Sequence, residues 1–502
     1  MAMKLFLLTI MIGLYFQVFT QESKEYKGKY DEPFRPAFHF SPQTGWMNDP
    51  NGLVYYNNKY HLFYQYYPDD IVWGPMHWGH AESDDLIHWK HLPVALYPDS
   101  LGMIFSGSAV IDVDNTAGFG KNAMVAIFTL HNDNLLKSGL KNIQSQGIAF
   151  SLDEGETWIK YSGNPVLNNS GEPDFRDPKV FWNSDIKKWN MVLAVGERIK
   201  IFSSPDLKSW NFESDFKPEN DGETLGVWEC PDLFKIKVKN SNTEKWVMII
   251  NHGDKAPNGG SGGRYFVGHF DGKTFVKEQN AKWLDYGTDF YAGVTFSNVP
   301  DDKRILLVWM SNWQYAQKTP TKVWRSAMTL PRELELVKKD NSFYLTQKIV
   351  QQFNTITQTE FEMNKVQLPF FKKNADFINT EITFDMDKTQ NIVIIFSNEK
   401  NESYSIKLKD NQLITDRTKS GIVDFSESFA KKVQIMPLDN QKINNFQIIL
   451  DKSSVEILLN NGQFSMTNLI FPDEKYAFLK ISSKDGKSIK NLKISLVNKI
   501  WN

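Results

Sequence analysis

The chain has 502 residues and a formal net charge of −2, with charges of both signs mixed along it, which argues against a nucleic-acid or anionic-membrane partner. That length calls for two or three domains with ample core. Aromatic residues reach 14%, which favours β-structure and a ligand bound by stacking, while a single cysteine, Cys230, excludes an intrachain disulfide and a Cys-based metal site. Cys230 itself reads as a small buried apolar residue.

Residues 1–20 read as a secretory signal peptide. Lys4 gives a positive start, Leu5 to Val18 is mostly apolar but short for a membrane span, and a polar stretch begins at Gln21. The expected location is secreted or periplasmic, with no membrane insertion after signal removal.

From residue 33 to 335 the pattern is strands and turns. Leu53-Val54-Tyr55-Tyr56, Tyr60-His61-Leu62-Phe63-Tyr64 and Met124-Val125-Ala126-Ile127-Phe128 are short and aromatic or β-branched. A unit then recurs. Ser83-Asp84-Asp85-Leu86-Ile87-His88-Trp89 reads as strand end, turn and Trp, and Ser204 to Trp210 repeats its spacing. Ser151 to Trp158 has one residue more, and Phe270 to Phe275 is a degenerate copy. Copies roughly 50–70 residues apart fit one four-stranded blade each, so the segment predicts about five propeller blades. The repeated Trp residues are expected to pack between blades and to carry no chemistry.

Residues 336–354, Gln-rich near their end, read as a linker. From 355 to 502 Trp nearly vanishes and strand-like runs such as Ile392 to Phe396 and Phe446 to Leu450 alternate with turns. This predicts a two-layer β-sandwich with a supporting role. The fold class is therefore all-β, a five-bladed β-propeller followed by a C-terminal β-sandwich.

Three acids sit near proline: Asp49 in Trp46-Met47-Asn48-Asp49-Pro50-Asn51-Gly52, Asp177 in Phe175-Arg176-Asp177-Pro178-Lys179, and Glu229 in Trp228-Glu229-Cys230-Pro231-Asp232. Singly, each reads equally as a turn, a surface ion pair or a strand-end acid. On three blades of one propeller they would converge on one funnel. Arg176 and Lys179 are expected to keep Asp177 ionised, Asn48 and Asn51 to hydrogen-bond Asp49, and Trp228 and Cys230 to keep Glu229 dry and protonated. Retaining glycoside hydrolysis needs this division between an ionised nucleophile and a protonated acid. Trp73-Gly74-Pro75-Met76-His77-Trp78-Gly79-His80 adds aromatic faces and polar edges suited to a sugar. Its His77/His80 spacing lacks a Glu between the two histidines and a third ligand, so no metal is assigned.

These motifs, in order and spacing, resemble the three signatures of glycoside hydrolase family 32, the invertases, inulinases and levanases. Gln65, Trp73-Gly74, Phe105-Ser106-Gly107-Ser108 and Arg325 to Arg332 are supporting matches. The resemblance implies a retaining β-fructofuranosidase acting on sucrose or fructan without a cofactor. Asp49 would be the nucleophile, Glu229 the acid/base and Asp177 the transition-state stabiliser. Asn48, Gln65, Trp73, Phe105, Ser106 and Arg176 would bind fructose, with Trp313 at the rim. Asp rather than Glu in the first motif points to exo action. Endo-levanase, sucrose-specific invertase and fructosyltransferase activities remain open, as does a non-catalytic fructan-binding role.

Overall fold

The computed structural model describes residues 30–218, 226–373, 376–387, 391–484 and 487–501; the expected signal segment lies outside them. Five antiparallel sheets follow one another, each built on four principal strands taken in chain order. Their innermost strands are Gly45–Tyr56, Met103–Asp112, Phe175–Asn183, Trp228–Lys237 and Tyr291–Thr295. Each innermost strand packs against the next, and Tyr291–Thr295 packs against Gly45–Tyr56, which closes a five-bladed β-propeller. Closure is reinforced by backbone pairing. Gly45 and Trp46 lie parallel to Trp324 and Arg325, and Ser297 exchanges hydrogen bonds with Leu53 and Tyr55 at 2.8 and 2.9 Å.

Blades stack face to face, so their middle strands are covered on both sides and need no polar alternation. Ile305–Met310 (ILLVWM) is buried at every position, and Ala123–His131 is buried up to its final His. The recurring Asp-turn-Trp unit occupies one place in four blades, between the third and fourth strands. In three copies the Trp indole donates back across the turn, Trp89 to Leu86 O, Trp158 to Gly155 O and Trp210 to Leu207 O, each at 3.1 Å.

The residues expected as a linker, 336–354, are mostly strand. Arg332–Lys339 and Ser342–Ile349 pair as the outer hairpin of the fifth blade. Leu334, Leu336, Phe343 and Leu345 are buried, and Asp340-Asn341 makes the turn with positive φ at both residues. Lys338 and Lys339 are exposed at the turn, whereas Gln347, the first of the Gln-rich run, is buried, accepting from Arg332 at 2.9 Å and donating to Leu284 O at 2.5 Å.

Beyond it, two six-stranded sheets face each other as a β-sandwich around one apolar core. The sandwich meets the propeller through buried ions. His39 lies between Asp451 (Nδ1–Oδ2 2.7 Å) and Glu456 (Nε2–Oε1 2.8 Å). Arg332 donates to Glu456 at 2.5 Å and Thr467 at 2.8 Å, and Arg417 to Asp289 at 2.6 Å. No helix among the described residues is long and apolar enough to cross a membrane.

Burial alone would neutralise His39, but its two carboxylate partners raise its pKa to about 9, while Arg332 and His39 hold Glu456 down at about 2 against its own burial. A raised His pKa contributes stability that is complete below about pH 6.5 and is lost as pH rises through 9. His39→Gln is therefore expected to cost on the order of 2–3 kcal/mol at pH 6 and to flatten the decline between pH 6.5 and 9. Thermal melts of both proteins across that range check it; parallel curves would contradict the pairing.

Candidate active site

Every innermost strand breaks register near its start, and the site is built on those breaks. Pairing skips between Met47 and Pro50, Ile104 and Gly107, Glu229 and Asp232, and Tyr291 and Val294. In the third blade the skip falls between Arg176 and Lys179, opposite Val192 and Ala194. A bulge turns one side chain out of the alternation and bends the strand. Asp177, Cys230 and Ala292 sit on these bulges with φ of 64°, 42° and 57°. Pro178 and Pro231 fall inside two of them, where a missing N–H costs no ladder bond, and Pro50 is the residue at which pairing resumes in a third.

The bulges deliver three carboxylates to one cavity of about 400 Å³. Asp49, Asp177 and Glu229 line it together with Asn48, Gln65, Trp73, Phe105, Ser106, Arg176 and Trp313, so every residue expected to catalyse or to bind fructose reaches the same space. His131, Ile143, Gln144, Asp174 and Gln317 line it too. These were not legible: none lies in a motif, and Asp174 differs from any loop acid only in preceding Arg176 by two.

Asp49 and Asp177 are deep, at 8% and 6% exposure. Asp49 accepts from Ser106 Oγ at 2.7 Å and Asn48 Nδ2 at 3.0 Å, and Asn48 is held by the Trp46 indole at 2.7 Å. Asn51, expected to help, turns instead to Gln65. Asp177 accepts from the Cys230 amide at 2.9 Å, and its own N–H donates to Thr129 Oγ1 at 2.9 Å. Cys230 is more than filler. Its Sγ lies 3.4 Å from Asp49 and 3.7 Å from Asp177, and burial pushes the thiol pKa well up, so it stays a proton donor between two acids.

Glu229 is the most accessible of the three, with 22% of its side chain exposed. Arg176 donates to its Oε1 from Nε at 3.1 Å and Nη2 at 2.9 Å, and Tyr291 donates to its Oε2. The remaining guanidinium arm meets Asp174 at 2.5 Å. A Cβ on Gly253 would come within 3.2 Å of the same Oε2, so glycine there leaves the carboxyl its room. Trp313 stacks on Trp46 with centroids 5.9 Å apart, and Phe105 stacks on His131 at 4.3 Å.

The expected charge pattern needs correcting. Lys179 does not face Asp177; it donates to Thr295 O at 2.6 Å and pairs with Asp232 at 3.2 Å. Desolvation therefore dominates at Asp177 and, with Glu229 and Asp49 adding repulsion, lifts its pKa to about 7 although Arg176 pulls it down. Burial raises Asp49 too, opposed by Ser106 and Asn48. The dry carboxyls are the two aspartates, and the acid expected to be dry, Glu229, is the wetter one.

Two buried aspartates and a hydrogen-bonded glutamate at the mouth of a propeller channel, ringed by aromatic faces, define a carboxylate-based glycosidase site. Residues 39–348 match the glycosyl hydrolases family 32 N-terminal domain, and 344–496 the family 32 C-terminal domain. The chain belongs to glycosyl hydrolase family 32. It is 44% identical to a levanase of Bacillus subtilis over 94% of this chain and 72% of that one. It is 38% identical to an extracellular exo-inulinase of Aspergillus niger over 91% and 93% of the two chains. The crystal structure of an exo-inulinase from Aspergillus awamori superposes with a TM-score of 0.84 at 35% identity, covering 94% of this chain and all (100%) of that one. A β-fructofuranosidase from Schwanniomyces occidentalis, complexed with fructosyl-erythritol, gives 0.81 at 33% identity over 94% and 99%.

With a pKa near 7, Asp177 holds its proton at pH 5.5 and releases it by pH 8.5. Infrared difference spectra of the sugar-free protein should show a protonated-carboxyl band that fades across this interval and is missing in Asp177→Asn. A band that titrates near pH 4 would contradict the desolvation account.

Proposed function

We propose that the protein is a secreted, retaining β-fructofuranosidase that removes terminal fructose from fructans and sucrose. The observation that carries this reading is the convergence of Asp49, Asp177 and Glu229, from the innermost strands of three blades, on one cavity. Its 400 Å³ is within the range of about 300–1,000 Å³ typical of small-molecule clefts, and its acids lie at depth, which suits a chain end better than a chain middle.

In the first step Glu229 gives its proton to the glycosidic oxygen while an Asp49 oxygen bonds to the anomeric carbon and the glycosidic bond breaks. The leaving sugar departs as an alcohol past Glu229, the carboxyl nearest solvent. In the second step Glu229 takes a proton from water, the hydroxide attacks the anomeric carbon, and Asp49 leaves as carboxylate. Asp177 and Arg176 hold the ring hydroxyls. As the ring gains positive charge the raised pKa values of Asp49 and Asp177 fall, so their anionic forms are favoured most in the transition state. Trp73, 37% exposed and edge-on to Phe105, offers an apolar ring to a sugar face.

Reducing-sugar assays on sucrose, inulin and levan test the reading. Asp49→Ala is expected to lower kcat by roughly a thousandfold or more on each. Glu229→Ala should be as severe, and the only early product from either polymer should be fructose. Activity surviving in Asp49→Ala would overturn the nucleophile assignment; oligosaccharide products would overturn exo action.

A further inference from the structure

The central channel has a second mouth. The innermost strands carry the acids in their first halves, and the second halves of three of them, Met103–Asp112, Phe175–Asn183 and Trp228–Lys237, line another cavity of about 1200 Å³. A buried knot seals its inner end: Lys179 pairs with Asp232, and Asp232 Oδ2 accepts from Thr295 N at 2.6 Å and Thr295 Oγ1 at 2.8 Å. Lys179 follows Asp177 by two residues and Asp232 follows Glu229 by three, so the knot stands between the two cavities.

The lining of this second cavity has its own chemistry. It holds six Lys or Arg and six Asp or Glu, so it offers no net charge to an anion or a cation. Some of these close on each other at the rim, such as Lys239 with Glu335 at 2.9 Å and Lys303 with Glu333 at 3.8 Å. Arg304 lies over the Phe234 ring at 5.6 Å and donates from Nε to Lys235 O at 3.3 Å. The side chains of Asn240 and Asn242 are exposed and have no partner among the described residues. Trp182 leans edge-on against Trp189 at 5.1 Å and keeps 40% of its surface exposed. An uncharged balance, an open indole face and exposed amide groups suit a neutral polyhydroxylated ligand, whose C–H faces stack and whose hydroxyls both donate and accept.

We propose that this opposite mouth of the propeller is a second carbohydrate site that holds a segment of fructan away from the catalytic cavity. The proposal rests on the fructan-cleaving reading above. Its volume, three times that of the catalytic cavity, takes an internal stretch of chain rather than one terminal unit. Holding polymer there raises its local concentration at the catalytic mouth and does nothing for sucrose, which is too short to be held at one mouth and cleaved at the other.

The test compares wild type, Trp182→Ala and Asn240→Ala/Asn242→Ala, all as full-length protein. On long-chain inulin and levan, Trp182→Ala should raise the half-saturating polymer concentration about fivefold, the worth of one stacked ring, with sucrose kcat and KM unchanged. The amide pair should act in the same direction without disturbing the Trp182–Trp189 contact. Unchanged polymer kinetics in both variants, or equal shifts on polymer and sucrose, would overturn the proposal. A binding readout separates it from the hydrolytic assignment. Asp49→Asn protein run through gels cast with inulin or levan should be retarded, and Asp49→Asn/Trp182→Ala less so. Equal retardation of the two, or none of either, would overturn the second site whether or not the enzyme cleaves sucrose.

Discussion

The site depends on keeping two carboxyls, Asp49 and Asp177, almost out of water. Burying such groups costs several kcal/mol unless donors meet them. Here the donors come from different blades: Asn48 from the first, Ser106 from the second, and the Cys230 amide and thiol from the fourth. Arg176, from the third, contributes its field. No single blade can make this environment. The electrostatics of the site exist only once the ring has closed, so the pairing of Gly45 and Ser297 with their distant partners matters to the chemistry as much as to the fold.

A ring of straight strands would waste its centre, because alternation would send every second side chain into a neighbouring blade. The bulge near the start of each innermost strand solves this five times over. It frees Asp49 and Asp177 from the ladder and ends the regular pairing of Glu229, and all three line the one cavity. Positive φ at Asp177 and Cys230 is strained for residues with a Cβ. The surrounding packing holds them there, and the site inherits rigidity from that over-determination. In the proposed mechanism this rigidity is useful: Asp49 must meet the anomeric carbon without searching for it.

Much of this was legible before any coordinates. The three acids near proline stood out in the sequence, and each lies at a bulge. The Asp-turn-Trp spacing gave the period of a blade because the same hairpin turn joins the third and fourth strands in four of them. What failed was any inference that needed distance. Lys179 is two residues from Asp177, where alternation would put both on one face, yet the bulge between them breaks that register and Lys179 pairs with Asp232. Trp228 and Cys230 flank Glu229 in sequence, but Glu229 projects toward the mouth while Cys230 turns inward. Neighbours along a strand point opposite ways, so sequence adjacency said little about which acid would be dry. The fifth blade's outer hairpin reads as a linker because Lys338 and Lys339 crowd its turn and Gln347 is polar although buried against Arg332, while Leu334, Leu336 and Leu345 carry the apolar signal.

The sandwich, poor in Trp and remote from the acids, still reaches the chemistry through a short physical path. Arg417 on the sandwich donates to Asp289 and to the Tyr315 hydroxyl, and Tyr315 donates to Asp289 in turn. Asp289 also accepts from Leu469 N at 2.9 Å. These bonds fix the chain two residues before Tyr291, whose hydroxyl donates to Glu229. Tyr291 sits at the first position of its strand, before the bulge, where little ladder pairing restrains it. A buried arginine–aspartate pair anchored in a separate β-sandwich supplies the restraint the strand cannot. The second domain thus sets the position of the hydroxyl that touches the acid, and its ionic seam with the propeller joins two apolar cores while tying the sandwich to the mouth of the active site.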